Sequence, residues 1–226
     1  MSAKQKIIHA AGDLFARNAI DMVSQKQILE AAGQRNSSAI QYHFGSREGL
    51  LRAVFERGVA RIDVRRNEIL DALEAEGRPL VLRDYVTALV LPLCEQRLEG
   101  EIGNQTLRFL SQVLQDPNIR LTEIMKGIDS GMRRGHLGVV RCTDGIPPLL
   151  LRFRLFSASM MVSGVLCDWD RNRKLERFSA VFVDDLINMV MAMVSQPPSE
   201  AALAELMDAP VGEEKNMGYS APETDA

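Results

Sequence analysis

Aromatic and histidine residues are scarce in this chain of 226 residues. It has one Trp, three Tyr and eight Phe, and its three histidines, His9, His43 and His136, are widely separated. The sequence also lacks the HExxH, GxSxG and P-loop patterns, and no pair of carboxylates stands out from the surface charge. These absences argue against an enzyme, and they predict neither catalytic residues nor a metal or cofactor site.

Cysteine is equally rare. Cys94, Cys142 and Cys167 are far apart in the sequence, so they fit neither a disulfide framework nor a CxxC redox or zinc motif. Cysteine outside such motifs usually packs as a small apolar side chain, and we expect that role here. A redox-sensing pair is the alternative.

The N terminus shows no signal peptide. The first six residues are polar, and the helix predicted after them carries His9, Asp13 and Arg17 along its length. A signal peptide instead has an uninterrupted apolar segment. We therefore expect a cytoplasmic protein that does not enter a membrane.

The net charge is small but unevenly distributed. The whole chain carries −3, yet residues 1–66 hold 11 Lys or Arg against 6 Asp or Glu. A basic N-terminal part in front of an acidic remainder is typical of a protein that meets phosphate groups with one end only. An ordinary solvated surface is the alternative, because an excess of this size is modest.

Apolar residues follow helical spacing in every strong segment, and we find no convincing strand. The first helix begins near Ile7, and a fourth helix, capped by Ser46, runs towards Leu73. The predicted later helices are residues 80–98, 104–115, 117–134, 148–169, 175–195 and 199–207, with a loop at 136–148. The tail, residues 208–226, has few apolar residues, so we predict that it is disordered.

Residues 24–51 form the most informative stretch of the chain. Ser24 and Gln27 have the spacing of a capping box, in which each side chain bonds the backbone of the other residue. Gly33 can adopt the left-handed conformation that closes a helix. We therefore predict a short helix that ends at this glycine and is followed by a tight turn.

A second short helix is predicted to begin at Asn36 or Ser37, both of which are good caps. Ala39 and Ile40 give it an apolar side, and its other side carries mostly hydrogen-bonding groups. A short helix of this kind, held between two others, is how a helix-turn-helix presents its recognition helix to the major groove.

Three segments resemble the DNA-binding domain of the TetR family of transcriptional regulators. They are IIHAAGDLFARN at residues 7–18, ILEAAG at 28–33 and QYHFGSREGLLRAVFE at 41–56. Within the last segment, the run YHF-x-S-[KR]-E-x-L-L is far more specific than a generic helix-turn-helix pattern.

The resemblance implies an all-α protein with two parts. Residues 1–50 would form a three-helix helix-turn-helix DNA-binding domain, and residues 51–207 a larger helical ligand-binding and dimerisation domain. The sequence departs from the family at Ala19, where Gly is usual, and at Val23, where Thr or Ser is usual. The segment between Gly33 and Phe44 is also one residue longer than the common form, which affects where the recognition helix starts.

Polar residues of the recognition helix and of the turn before it are expected to read base edges, while residues at its flanks contact phosphates. The predicted base-reading residues are Arg35, Asn36, Ser37, Ser38 and Gln41. The predicted phosphate contacts are Lys26, Tyr42, His43 and Arg47.

The two long helices at 148–169 and 175–195 are apolar on more than one face. A helix that is apolar almost all round has to be buried on both sides, so one flank suits the core and the other an interface. The resemblance implies a homodimer in which these helices form a four-helix bundle. A large monomeric core is the alternative.

The family also implies a ligand pocket among the middle helices, and apolar walls with methionine adapt well to apolar ligands. The candidate lining residues are Tyr85, Leu89, Phe109, Val113, Met125, Phe156 and Met160. At helical spacing the same residues equally suit plain core packing.

Together these features predict a homodimeric transcriptional regulator, a repressor, that binds a roughly palindromic operator in double-stranded DNA. A small, largely apolar effector would release it. The alternative is an all-α ligand-binding or protein-binding module whose helix-turn-helix no longer recognises specific DNA.

Overall fold

The computed structural model describes residues 1–169 and 180–208, and within these ranges it contains α-helices and no strand. The all-α prediction is thereby confirmed. The helices are α1 (Ala3–Arg17), α2 (Gln25–Ala31), α3 (Ala39–Phe44), α4 (Arg47–Ala75), α5 (Leu82–Leu98), α6 (Glu101–Gln115), α7 (Leu121–Met125), α8 (Ser130–Arg141), α9 (Pro148–Asp168), α10 (Ala180–Ser195) and α11 (Glu200–Asp208).

Serine side chains cap the helices of the N-terminal part, which we call the head (residues 1–50). Ser24 Oγ accepts a hydrogen bond from the Gln27 amide while the Gln27 side chain accepts from the Ser24 amide, so the predicted capping box is confirmed. Ser46 caps α4 by accepting from the Gly49 amide at 3.0 Å. Gly33 has φ +64° directly after α2, as its predicted closing role requires.

The third helix begins later than its sequence predicts. We expected a start at Asn36 or Ser37, but α3 starts at Ala39 and the three residues before it form a turn. The Asn36 side chain accepts a hydrogen bond from the Ser38 amide at 2.9 Å. This local bond competes with helix formation, so Asn36 stabilises the turn instead of capping the helix.

Helix α4 joins the head to the rest of the chain, which we call the body. Its 29 residues span about 44 Å at 1.5 Å per residue. The first half buries Leu50, Val54 and Phe55 in the head, and the second half buries Ile62 and Leu70 against α5 and α8. The predicted long fourth helix is therefore confirmed, and the boundary at residue 50 falls inside it.

The middle of the body differs from its prediction. We expected one helix over residues 117–134 and a loop over 136–148. Instead the chain breaks at Gly127, which has φ +83°, and α8 continues through His136 to Arg141. Helix α7 ends at Met125, because Lys126 has a non-helical ψ of 115° and the positive φ of Gly127 after it does not fit within a right-handed helix.

The late helices agree with their predicted positions within the described residues. Helix α9 packs along α6 and α10, and the Arg154 guanidinium donates to the Gln196 carbonyl just beyond the end of α10. Asp208, which we assigned to the tail, is the last residue of α11. Residues 175–179 of the predicted tenth helix and the rest of the tail, 209–226, lie outside the described residues.

Within the described ranges, α9 alone has the length and hydropathy of a membrane span, with a mean hydropathy of 1.5. The helix carries Arg152 and Arg154 in its first turns and packs against α5, α6, α8 and α10. One such helix is weak evidence for a membrane span, because helices of soluble proteins can have the same length and hydropathy.

Candidate nucleic-acid interface

The exposed surface of the head is formed by α3 and the turn before it. Ala39 and Ile40 are buried against the other helices of the head, and they fix which side of α3 faces outward. The residues exposed on the other side are Arg35, Asn36, Ser37, Ser38, Gln41 and Tyr42. The chain thus brings all five predicted base-reading residues to one solvent-facing surface of hydrogen-bonding groups.

Aromatic side chains lie at the C-terminal end of this surface. Tyr42 is 82% exposed, an unusual position for an aromatic side chain, and its ring meets the His43 ring edge-to-face at 4.9 Å. His43 in turn contacts Phe44, and the Lys4 ammonium group lies 5.8 Å from the centre of the Phe44 ring. A cation from α1 therefore lies beside the last residue of α3.

Lys26 lies on the outer side of α2. Its side chain is 85% exposed and makes only a loose pair with Glu30, at 3.9 Å and one helical turn away. Such a surface pair contributes little to stability. Lys26 can therefore leave it for a phosphate at small cost, as its predicted role requires.

Arg47 does not have the surroundings of a phosphate contact. Its guanidinium lies 5.7 Å from the centre of the Phe15 ring and donates a hydrogen bond to the Ile20 carbonyl. These contacts join the start of α4 to α1 and to the short 3-10 turn Ile20–Met22. The geometry therefore gives Arg47 a positioning role within the head in place of the predicted one.

The seven predicted ligand-lining residues have different surroundings in the body. Tyr85 and Leu89 lie against Gly138 and Gly135 of α8, so closely that a Cβ on Gly138 would come within 2.0 Å of the tyrosine ring. Phe109 stacks on Phe15 of the head. The other members are Val113 and Met125, which are buried, Met160, which is partly buried, and Phe156, which is 41% exposed.

A cleft of about 460 Å³ instead lies between α5 and α10. Its walls include Leu91, Leu98, Val183 and Ile187, with Cys94 at its side. None of the seven predicted lining residues contributes to it. All three cysteines lie in described residues and none forms a disulfide, and burial raises the pKa of the Cys94 thiol to about 12, which suits a packing residue.

Two charged residues on the buried side of α4 were missed by the sequence reasoning. Asp63 accepts hydrogen bonds from the amides of Gly131 and Met132, at 3.0 and 2.9 Å, and from the Ser130 hydroxyl. It thereby caps the N terminus of α8 across 67 residues of sequence. The sequence does contain a sign of their burial, because Asp63 and Arg66 both lie on the apolar stripe of α4 between Ile62 and Leu70.

Arg52 makes the corresponding contact with α7. Its guanidinium donates to the carbonyls of Glu123 and Lys126, at 2.6 and 2.5 Å, where α7 ends. The carbonyl end of a helix favours a cation and the amide end favours an anion. Arg52 and Asp63 therefore hold α7 and α8 to α4 with charges of the appropriate sign.

His136 lies on the inner side of α8, where burial and the charge of Arg66 lower the pKa of its imidazole to about 3. It is therefore neutral at physiological pH. Within residues 1–169 and 180–208, no group of three or more His, Cys, Asp or Glu side chains could hold a metal ion.

Helices α9 and α10 both expose large apolar residues. On α9 the exposed residues Leu149, Phe153 and Phe156 follow the four-and-three spacing of a helix seam, and Met160 continues it. On α10, Val181 and Met189 are 73% and 46% exposed. Contiguous exposed apolar surface marks an interaction site in soluble proteins.

The fold and its geometry define an all-α protein with an exposed polar surface on α3 and exposed apolar residues on α9 and α10. Comparison of the chain with known protein-family models finds no match, and neither does comparison with curated proteins.

Proposed function

We propose that this protein is a TetR-like DNA-binding transcriptional regulator, in which α2 and α3 form a helix-turn-helix. One observation carries the proposal: the exposed side of α3 and its turn consists of Arg35, Asn36, Ser37, Ser38 and Gln41, while the other side packs in the head. A short, rigidly held helix with five groups able to bond base edges suits entry into the major groove.

In this proposal the regulator is a cytoplasmic homodimer and a repressor. Two heads are brought to successive major grooves by the pairing of α9 and α10 with their copies in a second chain. A small, largely apolar effector bound in the body lowers operator affinity by moving α4. Arg52, Asp63 and Arg47 support this route, since they join α4 to α7, to α8 and to the head.

The test is selection of DNA from a pool of random-sequence duplexes with the full-length protein. We expect a roughly palindromic sequence to be enriched and to bind far more tightly than an unrelated duplex. Replacing Gln41 by Ala should weaken binding to the selected duplex by about 1–3 kcal/mol and relax preference at one base pair. Replacing Gln115, which is exposed on α6, by Ala serves as the matched control.

The alternative is an all-α ligand-binding or protein-binding module that has lost specific DNA recognition. It predicts weak binding to every duplex without enrichment of any sequence. Equal losses of specific and non-specific binding in Gln41→Ala would instead place the recognition surface elsewhere on the head.

A further inference from the structure

Phe15 lies at the centre of a joint between the head and the body. Its side chain is fully buried, and its ring stacks on that of Phe109 from α6, with centroids 5.9 Å apart and an interplanar angle of 19°. Phe109 also meets Phe55 of α4 edge-to-face at 6.4 Å. The Arg47 guanidinium also lies over the Phe15 ring, so side chains from α4 and α6 meet on this one phenylalanine of α1.

The backbone of the same residue is held from the body. Gln112 on α6 donates from Nε2 to the Phe15 carbonyl at 2.7 Å. Phe15 lies in the last turn of α1, where carbonyls have no partner within the helix. Asn18 satisfies the neighbouring Leu14 carbonyl from within the head, whereas the Phe15 carbonyl is satisfied by a side chain 97 residues away.

Helix α6 also packs extensively against α9 and α5, and it contacts α4. It therefore lies between α1, which carries part of the head, and α9, which exposes the apolar residues described above. A displacement of α9 can reach the head through α6, because close-packed helices transmit strain to one another.

We propose that Gln112 is a positioning residue that fixes the orientation of the head by tying the end of α1 to α6, and that α6 transmits the geometry of the α9 pairing surface to the recognition surface. This inference rests on the proposed function for its biological meaning, since the orientation matters when two heads must match two half-sites. The tie itself is a property of the free protein and can be tested without DNA.

The first experiment measures amide hydrogen exchange in full-length protein. Gln112→Ala removes the donor, Gln112→Lys supplies another donor at the same position, and Gln115→Ala removes a glutamine of α6 that bonds only Ser111 of its own helix. We expect Gln112→Ala to accelerate exchange about two- to tenfold in residues 15–22, the effect of one lost hydrogen bond, with α8 unchanged. Gln115→Ala should match the wild type, and Gln112→Lys should restore much of the protection.

Two results would overturn the tie. Unchanged exchange in residues 15–22 of Gln112→Ala would mean that the hydrogen bond does not hold the head. Acceleration of equal size in α8 would mean that the substitution loosens the whole fold, so that Gln112 is an ordinary stabilising residue.

The second experiment compares the selected duplex with one in which a base pair is inserted between its half-sites. A loosened head adapts more easily to the wrong spacing, so Gln112→Ala should reduce the wild-type preference for the correct spacing by about two- to tenfold. An unchanged preference would refute the positioning role. If no duplex is selected at all, the proposed function fails, while the exchange experiment still decides whether Gln112 ties the head to α6.

Discussion

Lys26 and Arg47 are cations of the head with opposite surroundings. Lys26 is 85% exposed, whereas Arg47 lies on the Phe15 ring and bonds the Ile20 carbonyl. We predict that Lys26→Gln makes the salt dependence of DNA binding shallower by about one unit, the loss of one phosphate contact, with unchanged stability. Titrations between about 50 and 200 mM salt measure this slope.

Arg47→Met should behave differently. Losing the hydrogen bond and the cation–π contact should lower the free energy of unfolding by about 1–3 kcal/mol, measured by urea denaturation, while the salt slope stays close to that of the wild type. A shallower salt slope in Arg47→Met with undiminished stability would show that Arg47 contacts a phosphate after all.

His136 should make stability depend on pH. Its pKa is lowered from 6.5 to about 3 in the folded protein, so the unfolded chain takes up a proton more readily than the folded one. The contribution of His136 to the free energy of unfolding is therefore fully present above pH 6.5. It falls as the pH drops below 6.5, by up to about 1.4 kcal/mol per pH unit.

Urea denaturation of His136→Gln between pH 7 and 5 tests this dependence. The variant should show a flatter decline than the wild type, and His9→Gln, at a surface position beside Asp13, should keep the wild-type decline. An identical pH dependence in His136→Gln and the wild type would contradict the assignment.

At the scale of elements, α7 and α8 form an arm whose helix ends are held by side chains of α4. Asp63 caps α8 with both carboxylate oxygens, whereas Asp71, two turns further along α4, only pairs with Arg134 at the surface. We predict that Asp63→Asn destabilises the protein by about 1–3 kcal/mol, because one buried amide loses its acceptor. Asp71→Asn should cost less than about 1 kcal/mol.

Thermal or urea denaturation of the two variants measures the difference. Amide exchange should rise mainly in residues 121–141 of Asp63→Asn. Equal stability of the two variants would show that the α8 cap contributes nothing beyond a surface ion pair.

The same arm shows why part of the fold could not be predicted. The Ser24–Gln27 capping box and the left-handed Gly33 act within a few residues of sequence, and these local features were correctly predicted. The start of α8 is stabilised by Asp63, which is 67 residues away, and no local pattern contains that contact. The start of α3 was missed for a different reason, since Asn36 suits a turn as well as a cap.

Some features of the candidate site could likewise be predicted from local sequence, and others could not. Exposure of residues 35–38 and of Gln41 follows from the apolar spacing of Ala39 and Ile40, which the sequence displays directly. The inward orientation of Arg47 depends on Phe15 and Ile20 from other elements. Helical spacing marked Tyr85 and Leu89 as apolar and inward-facing, but only the packing shows that these side chains lie directly against the glycines of α8.

At the scale of the whole molecule, the head is attached twice. Helix α4 continues from it into the body, and α6 holds it through Phe15 and Gln112. Both helices pack on α5, while α4 also contacts α7 and α8 and α6 also contacts α9. Under the proposed function, an effector and the pairing of two chains would therefore act on the head through two helices that share one neighbour.

Pairing of two chains is essential to the proposed function, because a single short helix makes too few contacts for specific binding at physiological salt. Two recognition helices must also enter major grooves about 34–36 Å apart. The interface can be tested at Phe153 and Met189, which are 57% and 46% exposed.

We predict that Phe153→Glu and Met189→Glu each convert the dimer to monomers, because an unpaired charge buried in an apolar interface costs several kcal/mol. Light scattering should show half the wild-type mass, and binding to the selected duplex should be lost while the melting temperature of the monomer fold changes little. Ile102→Glu, at a 63% exposed apolar position on α6, controls for the added charge and should remain dimeric. If both variants stay dimeric, the two chains pair through a surface other than α9 and α10, and the route from α9 through α6 to the head loses its starting point.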